Sequence, residues 1–266
     1  MQVPLLPTTD EVPPYSVVAQ FYDYLMRHVN YARWANYVID LFDLANLGEA
    51  AGRRRVQSIL ELACGSGKLL VELSRAGFQT YGMDRSASMA QCTAARCEKA
   101  GMPARIWCGD MRNFASAARF DAVICLYDSL NYCSKPDEVV SVFAHVGEVL
   151  QPGGLFIFDI CTRWNCWRNF RNYTDKEDWR RWTYHRHSFF KPVANLQYNE
   201  FLIENADFPG QTFRELHVQR IYSLNEIRKI AAADWWEEAG CFKDMSRRPG
   251  NERAERVHFV FRKKRD

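Results

Sequence analysis

From Ser58 to Ile160 the chain alternates short apolar runs with segments of helical periodicity, and this alternation constrains the fold more than any other feature. SILELA, QTYGMD, ARIWCGD, FDAVICLYD and GGLFIFDI are expected strands. KLLVELSRAG, the run from Ser86 to Ala100, and KPDEVVSVFAHVGEVL carry apolar residues three and four apart, as amphipathic helices do. Gly77 is placed to end the first of these helices and Ser86 to cap the second. Strands that alternate with helices pair in parallel, with helices covering both faces of the sheet. The expected class is α/β, a Rossmann-like sheet with helices on both faces.

The flanks read differently. The leader through Pro14 holds four prolines and two acidic residues, and is expected to be an irregular or mobile arm. Val17 to His28 and Tyr31 to Leu44 have helical spacing, with Asn30 as a cap between them, and Gly48 to Arg55 is an expected loop. After Ile160 come a segment dense in arginine and tryptophan and two half-alternating stretches, LQYNEFLIENADF and TFRELHVQRIYS, expected as antiparallel strands. SLNEIRKIAAADWWEEAG is expected as a helix from Ser223 to Gly240. FKDM and VHFVFRK then follow as antiparallel edge strands, before a solvated KKRD tail. The expected organisation is a flexible leader (1–14), an N-terminal helical cover (15–55) and an α/β core (56–160). A β-rich insertion or lid (161–222) and a C-terminal helix with closing strands (223–266) complete it.

Composition narrows the function classes. A net charge of +3 over 266 residues favours neither nucleic acid nor membrane. Nine cysteines without a C-x-x-C pair, several inside apolar runs, suit buried thiols in a reducing compartment. The leader has no long apolar stretch, so the expectation is a cytoplasmic protein without a membrane span.

The chemistry centres on LELACGSGKLL. A strand, a glycine turn and a helix together bring a ligand against backbone amides at a helix N-terminus. A dinucleotide fingerprint needs a third glycine where Leu70 stands, which ranks a dehydrogenase last. Glu61 on the strand can pair with a ligand cation. Asp84 ends the second strand, where a carboxylate can take both hydroxyls of a ribose. Asp110 follows the third, where it can accept from an exocyclic amine.

ELACGSG resembles the E/D-x-G-x-G-x-G motif of class I S-adenosylmethionine-dependent methyltransferases, with Ala63 where the first glycine is usual. YGMD, GDM, FDAVICLYDSLNY and LQPGGLFIFDI resemble the motifs that follow in that family, in order, over roughly residues 58–160. FYDYLMRHVNYARW resembles the opening of a bacterial branch of the family with a Tyr-Asp-x-Leu-Met helix, and HVQRIYSLNEIRK its C-terminal part. Many members of that branch have no assigned substrate. The resemblance implies S-adenosyl-L-methionine as cofactor and S-adenosyl-L-homocysteine as product. It places Glu61, Ala63, Gly65 and Gly67 along the methionine moiety and ribose, Asp84 at the ribose hydroxyls, and Asp110 and Met111 at the adenine. Tyr22, Tyr31 and Trp34 would close over the cofactor, with Arg85 and Tyr127 beside it.

Methyl transfer from a sulfonium is an in-line displacement that depends chiefly on positioning, and it needs a general base only when the nucleophile arrives protonated. Acceptor contacts are expected in the loop Tyr127–Tyr132, where Asp128 either orients the acceptor or braces the loop and Asn131 can hold it. His217 is a further candidate base. That loop is not the N/D-P-P-Y loop of enzymes acting on amino groups of bases. His185 and His187 share a strand face but lack a third ligand, so no metal is expected. The tryptophan and arginine segment is read as packing plus a lid over the pocket, with plain packing against the sheet and then single-stranded nucleic acid as the alternatives. The function expected is methylation of N or O on a small-molecule acceptor. An RNA or protein methyltransferase, and a cofactor-binding regulatory protein without catalysis, are the alternatives. Oligomeric state is not readable from these residues.

Overall fold

A computed structural model describes residues 8–46, 55–103, 105–232 and 235–264. The expected alternation is present as β2 (Ser58–Leu62), α3 (Lys68–Arg75), β3 (Gln79–Asp84), α4 (Ala87–Lys99), β4 (Ile106–Cys108), β5 (Phe120–Cys125), α5 (Pro136–Val149) and β6 (Leu150–Cys161). These strands and the closing β11 (Trp236–Lys243) and β12 (Arg256–Lys263) form a seven-stranded sheet of order β11-β12-β6-β5-β2-β3-β4. Strands β4, β3, β2, β5 and β6 are parallel, and β12 runs antiparallel to β6. The chain leaves β2 in one direction for β3 and β4 and returns on its other side for β5, which opens a crevice at the strands' carboxyl ends. Every residue of β5 is buried, as is nearly all of β2, so helices are required on both faces. Phe143 of α5 packs edge-on to Phe156, Phe158, Phe261 and Trp236, at centroid distances of 5.2 to 5.6 Å.

Ser86 Oγ accepts the Met89 N–H at 3.2 Å, and Asn30 Oδ1 accepts the Arg33 N–H at 2.9 Å, so both expected caps are formed. The helix after Asn30 is α2 (Tyr31–Asn46). Most of the expected loop from Gly48 to Arg55, the first seven leader residues, and Arg265 and Asp266 lie outside the described residues.

A second sheet has five strands in the order β1-β10-β9-β8-β7. It is built from β7 (Asn172–Trp179), β8 (Trp182–Lys191), β9 (Leu196–Asn205) and β10 (Gln211–Arg220), with β1 (Thr8–Val12) at one edge. A short helix, α6 (Arg163–Asn169), connects it to β6.

Four expectations need correction. The leader is not irregular throughout, because Thr8–Val12 pair in parallel with Gln211–Glu215 and so satisfy an otherwise open sheet edge. The stretch from Val17 to His28 is not one helix but a 3-10 turn (Val18–Gln20) and a four-residue helix, α1 (Tyr22–Leu25). Phe21 between them leaves helical geometry at φ −130°, and the N–H groups of Val17 and Val18 bond instead to the Glu215 carboxylate. The helix begun at Ser223 ends at Ala231 as α7 (Leu224–Ala231), and Trp236 to Gly240 belong to β11. Finally, β12 is an interior strand, buried over most of its length, and β11 alone forms that edge.

Candidate active site

A cavity of about 600 Å³ lies at the carboxyl ends of β2, β3, β4 and β5. Tyr22, Tyr31, Trp34, Glu61, Ala63, Gly65, Gly67, Asp84, Arg85, Asp110, Met111 and Tyr127 all line it. The leader residues Pro13–Ser16 and, from the second sheet, Leu216 and Val218 complete its wall.

The floor is the glycine loop. Ala63, Gly65 and Gly67 have φ of 52°, 57° and 75°, so three residues of one loop are left-handed. A Cβ at Gly67 would come within 2.6 Å of the Thr93 methyl, which makes this glycine obligatory by contact as well as by φ. Ala63 retains the left-handed turn at a cost of roughly 1–2 kcal/mol, the ordinary penalty for an L-residue there. The loop is tied down from three sides. Asp84 Oδ2 accepts the Gly65 N–H at 2.8 Å, Thr93 Oγ1 donates to the Gly65 carbonyl at 2.6 Å, and Arg96 Nε donates to the Ser66 carbonyl at 2.6 Å. Ser66 Oγ in turn donates to Asp23 of α1 at 2.8 Å, and Arg96 and Lys68 pair with the same carboxylate. The N-terminal helix is thereby clamped over the loop.

The acids around the cavity differ in state. Glu61 is 6% exposed and one of its carboxylate oxygens has no hydrogen-bond partner. Burial, and after it the charge of Asp84, push its carboxyl well above the usual range. Asp84 is also raised by burial, although its two oxygens accept the N–H groups of Gly65 and Ser86, each at 2.8 Å. Asp110 is lowered, chiefly by its hydrogen bonds with Arg112, which bind both its oxygens at 2.6 to 2.9 Å. Arg85 Nε stands 3.7 Å from Asp110 and its side chain is largely exposed.

The aromatic wall is held by a partly buried cation. Tyr127 packs against Trp34 at 4.8 Å, and the Arg256 guanidinium sits 4.9 Å from the Tyr127 ring centre. Tyr127 and Asp128 are both left-handed, with φ of 62° and 51°. Arg256 pairs with both Asp128 and Asp159, and Asp159 Oδ2 accepts the Asp128 N–H at 3.2 Å. Burial acts against the charge on Arg256, and the two carboxylates outweigh it.

Asp128 and Asn131 do not line the cavity. Asn131 is fully buried, with its amide donating to the Arg220 carbonyl at 2.6 Å and accepting the Cys161 N–H at 3.1 Å. The expectation that Asn131 holds an acceptor is therefore corrected: its polar atoms are spent on backbone groups. Asp128 is committed to Arg256. Of that loop, Ser129 and Tyr132 face the cavity instead. His217 is buried, with Nδ1 2.9 Å from the Tyr132 hydroxyl and Nε2 3.0 Å from Glu215. Tyr132 lies 2.7 Å, oxygen to oxygen, from Tyr15. The sequence put Tyr132 in the expected acceptor loop without a role of its own, and Tyr15, Glu215 and Arg256 were passed over. The spacing Glu215-x-His217 on a strand was the signal for one pair, since it puts both side chains on one face.

His187 bonds Asn172 at 2.9 Å and packs on Phe189, and no group of three or more metal-ligating side chains is found among the described residues. Trp179 stacks on Tyr24 at 5.5 Å and Trp182 packs on Phe21 at 5.9 Å, while Trp164 and Trp167 are 40% and 48% exposed. No helix among the described residues is long and apolar enough to cross a membrane.

A family profile described as a methyltransferase domain matches residues 59–154, the stretch that supplies the glycine loop and the acids after it. A protein of Geobacillus sp. (strain WCH70) named as a methyltransferase is 26% identical over 256 residues, covering 94% of this chain and 99% of that one. The dTDP-3-amino-3,4,6-trideoxy-alpha-D-glucopyranose N,N-dimethyltransferase of Streptomyces venezuelae is 32% identical over 143 residues, 53% of this chain and 56% of that one. An S-adenosylmethionine-dependent methyltransferase structure from Clostridium acetobutylicum ATCC 824 superposes with a TM-score of 0.77 at 26% identity, covering 94% of this chain and 99% of that one. The residues present suit that cofactor: a buried carboxylate oxygen of Glu61 without a hydrogen-bond partner would accept from a cationic group, and Asp84 keeps lone pairs that would accept from a diol. On the sequence, the fold and these likenesses together, residues 59–154 match a methyltransferase domain and the chain is similar along its length to S-adenosylmethionine-dependent methyltransferases.

Proposed function

We propose that this enzyme methylates a nitrogen or oxygen of a small molecule, with an amine nitrogen the better supported acceptor. One observation carries the reading: the cavity is walled by the leader at Pro13–Ser16 and by the second sheet at Leu216 and Val218, as well as by the crevice of the core sheet. Walls contributed by the leader and the second sheet favour a small acceptor over a nucleic acid or a folded protein, which would call for a more open groove. The naming of a matched relative as an amino-sugar N,N-dimethyltransferase supports nitrogen as the target.

In this reading Glu61 faces the cationic amino-acid end of the cofactor, Ala63, Gly65 and Gly67 follow its length, and Asp84 takes the ribose hydroxyls. Asp110, fixed by Arg112, and Met111 lie at the adenine, with Arg85 beside them. Tyr22, Tyr31, Trp34 and Tyr127 enclose the sulfonium with aromatic faces, which favour a cation. When bound, the cofactor supplies a methyl group on a positively charged sulfur, open to in-line displacement. The protein's part is orientation and exclusion of water. Asp128 braces the loop and does not touch the acceptor.

The test is calorimetric titration with S-adenosylmethionine, S-adenosylhomocysteine and NADH, followed by mass-spectrometric detection of methylated product. The acceptors are a dTDP-3-amino sugar, simple primary amines, phenols and a folded RNA. Transfer to RNA with none to the small amines or phenols would reject the proposal.

A further inference from the structure

Glu215 is completely buried and accepts five hydrogen bonds: the backbone N–H groups of Tyr15 at 2.7 Å, Val17 at 2.6 Å and Val18 at 2.8 Å, His217 Nε2 at 3.0 Å and, at 3.5 Å, the Ser16 hydroxyl. A carboxylate so surrounded by donors acts only as an acceptor. The consequence runs outward by donor and acceptor logic alone. His217 Nε2 must carry a hydrogen, and with one hydrogen on the ring Nδ1 is then the acceptor. The Tyr132 hydroxyl, 2.9 Å from Nδ1, must donate to it. Its oxygen is then left to accept, so the Tyr15 hydroxyl, 2.7 Å away, must be the donor of that pair. The Tyr15 oxygen makes no other hydrogen bond among the described residues, and both tyrosines line the cavity. Tyr15 is also held in a left-handed conformation, φ 61°, that a free chain would avoid. The Glu215 clamp on its N–H keeps it there.

We propose that Glu215, His217, Tyr132 and Tyr15 form a proton relay that takes a proton from the incoming acceptor, and that this relay assigns the enzyme to nucleophiles that arrive protonated, ammonium groups before hydroxyls. At rest the relay presents a lone pair on Tyr15 Oη to an N–H or O–H. When the acceptor gives up its proton to Tyr15 Oη, the Tyr15 hydroxyl proton passes to Tyr132 Oη and the Tyr132 proton to His217 Nδ1. Three O–H or N–H bonds form and three break. The only net change is that His217 becomes an imidazolium against the Glu215 carboxylate, while the acceptor nitrogen gains its lone pair. The Tyr15–Tyr132 and Tyr132–His217 hydrogen bonds have then reversed, His217 Nε2 still donates to Glu215, and Tyr15 has become a donor. Return of the proton to solvent after product leaves resets it. Burial keeps both phenols above their ordinary pKa, so they carry protons through and do not rest as phenolates. Around His217 the titratable groups are Glu215 on its own strand, Tyr132 on the 3-10 turn Ser129–Tyr132 and Tyr15 on the leader, with Phe201 as the apolar neighbour. Asp84 and Asp128 bear on Tyr15 from further off.

This inference rests on the small-molecule reading only in its kinetic arm. The first measurement needs no acceptor: nitrogen-15 NMR of the histidine rings in the cofactor-free protein at neutral pH, with His217→Gln to assign the signal. The Nε2–H tautomer, changing its Nδ1 shift in Tyr132→Phe, is expected. An Nδ1–H tautomer or a resting imidazolium would overturn the relay. The second uses Tyr132→Phe with an amine acceptor across a pH series. Turnover is expected to fall about a hundredfold or more at neutral pH, the usual scale of lost general-base help. It should recover as the amine loses its own proton in alkali, with cofactor affinity unchanged. A loss that stays constant with pH marks a structural role and rejects the relay. Failure of every small amine to react, while the tautomer is as expected, would reject the acceptor reading and leave the relay standing.

Discussion

Asp84 Oδ2 accepts the Gly65 N–H at 2.8 Å, so the carboxylate proposed to hold the ribose also sets the shape of the loop beneath it. Two tasks on one side chain make its removal informative. Asp84→Ala is expected to weaken S-adenosylmethionine and S-adenosylhomocysteine alike, by tenfold or more (about 1.4 kcal/mol). Asp84→Asn, which keeps one oxygen as acceptor, should fall between. Equal affinity of wild type and Asp84→Ala in calorimetry would remove Asp84 from the cofactor site.

Glu61 makes the empty protein sensitive to pH. Its carboxyl is raised well above the ordinary 4.5 by burial and by Asp84, so the folded chain holds a proton that the unfolded chain has lost. Stability of the cofactor-free protein therefore declines as pH rises from the ordinary carboxylate range toward the raised folded value. Glu61→Gln should flatten that decline in thermal unfolding followed from acid to neutral pH. A cationic ligand beside Glu61 reverses the preference, so cofactor binding is expected to release a proton. Calorimetry in two buffers of different ionisation enthalpy reads the release, and Glu61→Gln should abolish it.

Arg256 holds together a turn that would not hold itself. Tyr127 and Asp128 are both left-handed, and Arg256 sits between the fully buried Asp159 carboxylate and the partly buried one of Asp128. Removing the cation leaves two like charges side by side, that of Asp159 fully buried. Arg256→Met is expected to cost about 3–5 kcal/mol in denaturant unfolding. Adding Asp159→Asn to the same chain should return part of the loss, because one of the charges disappears. A cost below 1 kcal/mol would mean that solvent reaches the pair.

Ala63 carries strain that glycine would not. Its φ of 52° costs an L-residue roughly 1–2 kcal/mol, while glycine brings about 0.5–1 kcal/mol of extra unfolded-chain freedom. Ala63→Gly is therefore expected to be neutral or to stabilise by up to about 1 kcal/mol, with cofactor affinity kept or improved. A clear loss of stability would show that the Ala63 methyl makes packing contacts worth more than the strain.

The sequence by itself determined the parts whose causes are local. Short apolar runs separated by helical periodicity specified the parallel core strands, because a strand buried on both faces has to be apolar along its whole length. Ser86 and Asn30 announced helix starts through side chains that satisfy amides within three residues. The glycine loop and the acids at the strand ends were legible because each sits at a fixed offset from its own strand. Glu61, Gly65, Gly67, Asp84 and Asp110, read in this way, line one cavity, as do the seven residues that only the family resemblance supplied.

Tertiary structure decided whatever depends on a partner distant in the chain. Thr8–Val12 became a strand only because Gln211–Glu215 offered an unpaired edge some two hundred positions away. Trp236 to Gly240 left the expected helix for the same reason, since β12 provides a ladder that local propensity cannot foresee. Asn131 and Asp128 have the chemistry of acceptor ligands in isolation, yet Arg220, Cys161 and Arg256, arriving from later in the chain, take up their polar atoms. The relay is the reverse case. A glutamate, a histidine and two tyrosines spread from Tyr15 to His217 acquire a direction only when folding lines them up, because a hydrogen-bond chain takes its polarity from the group at its buried end.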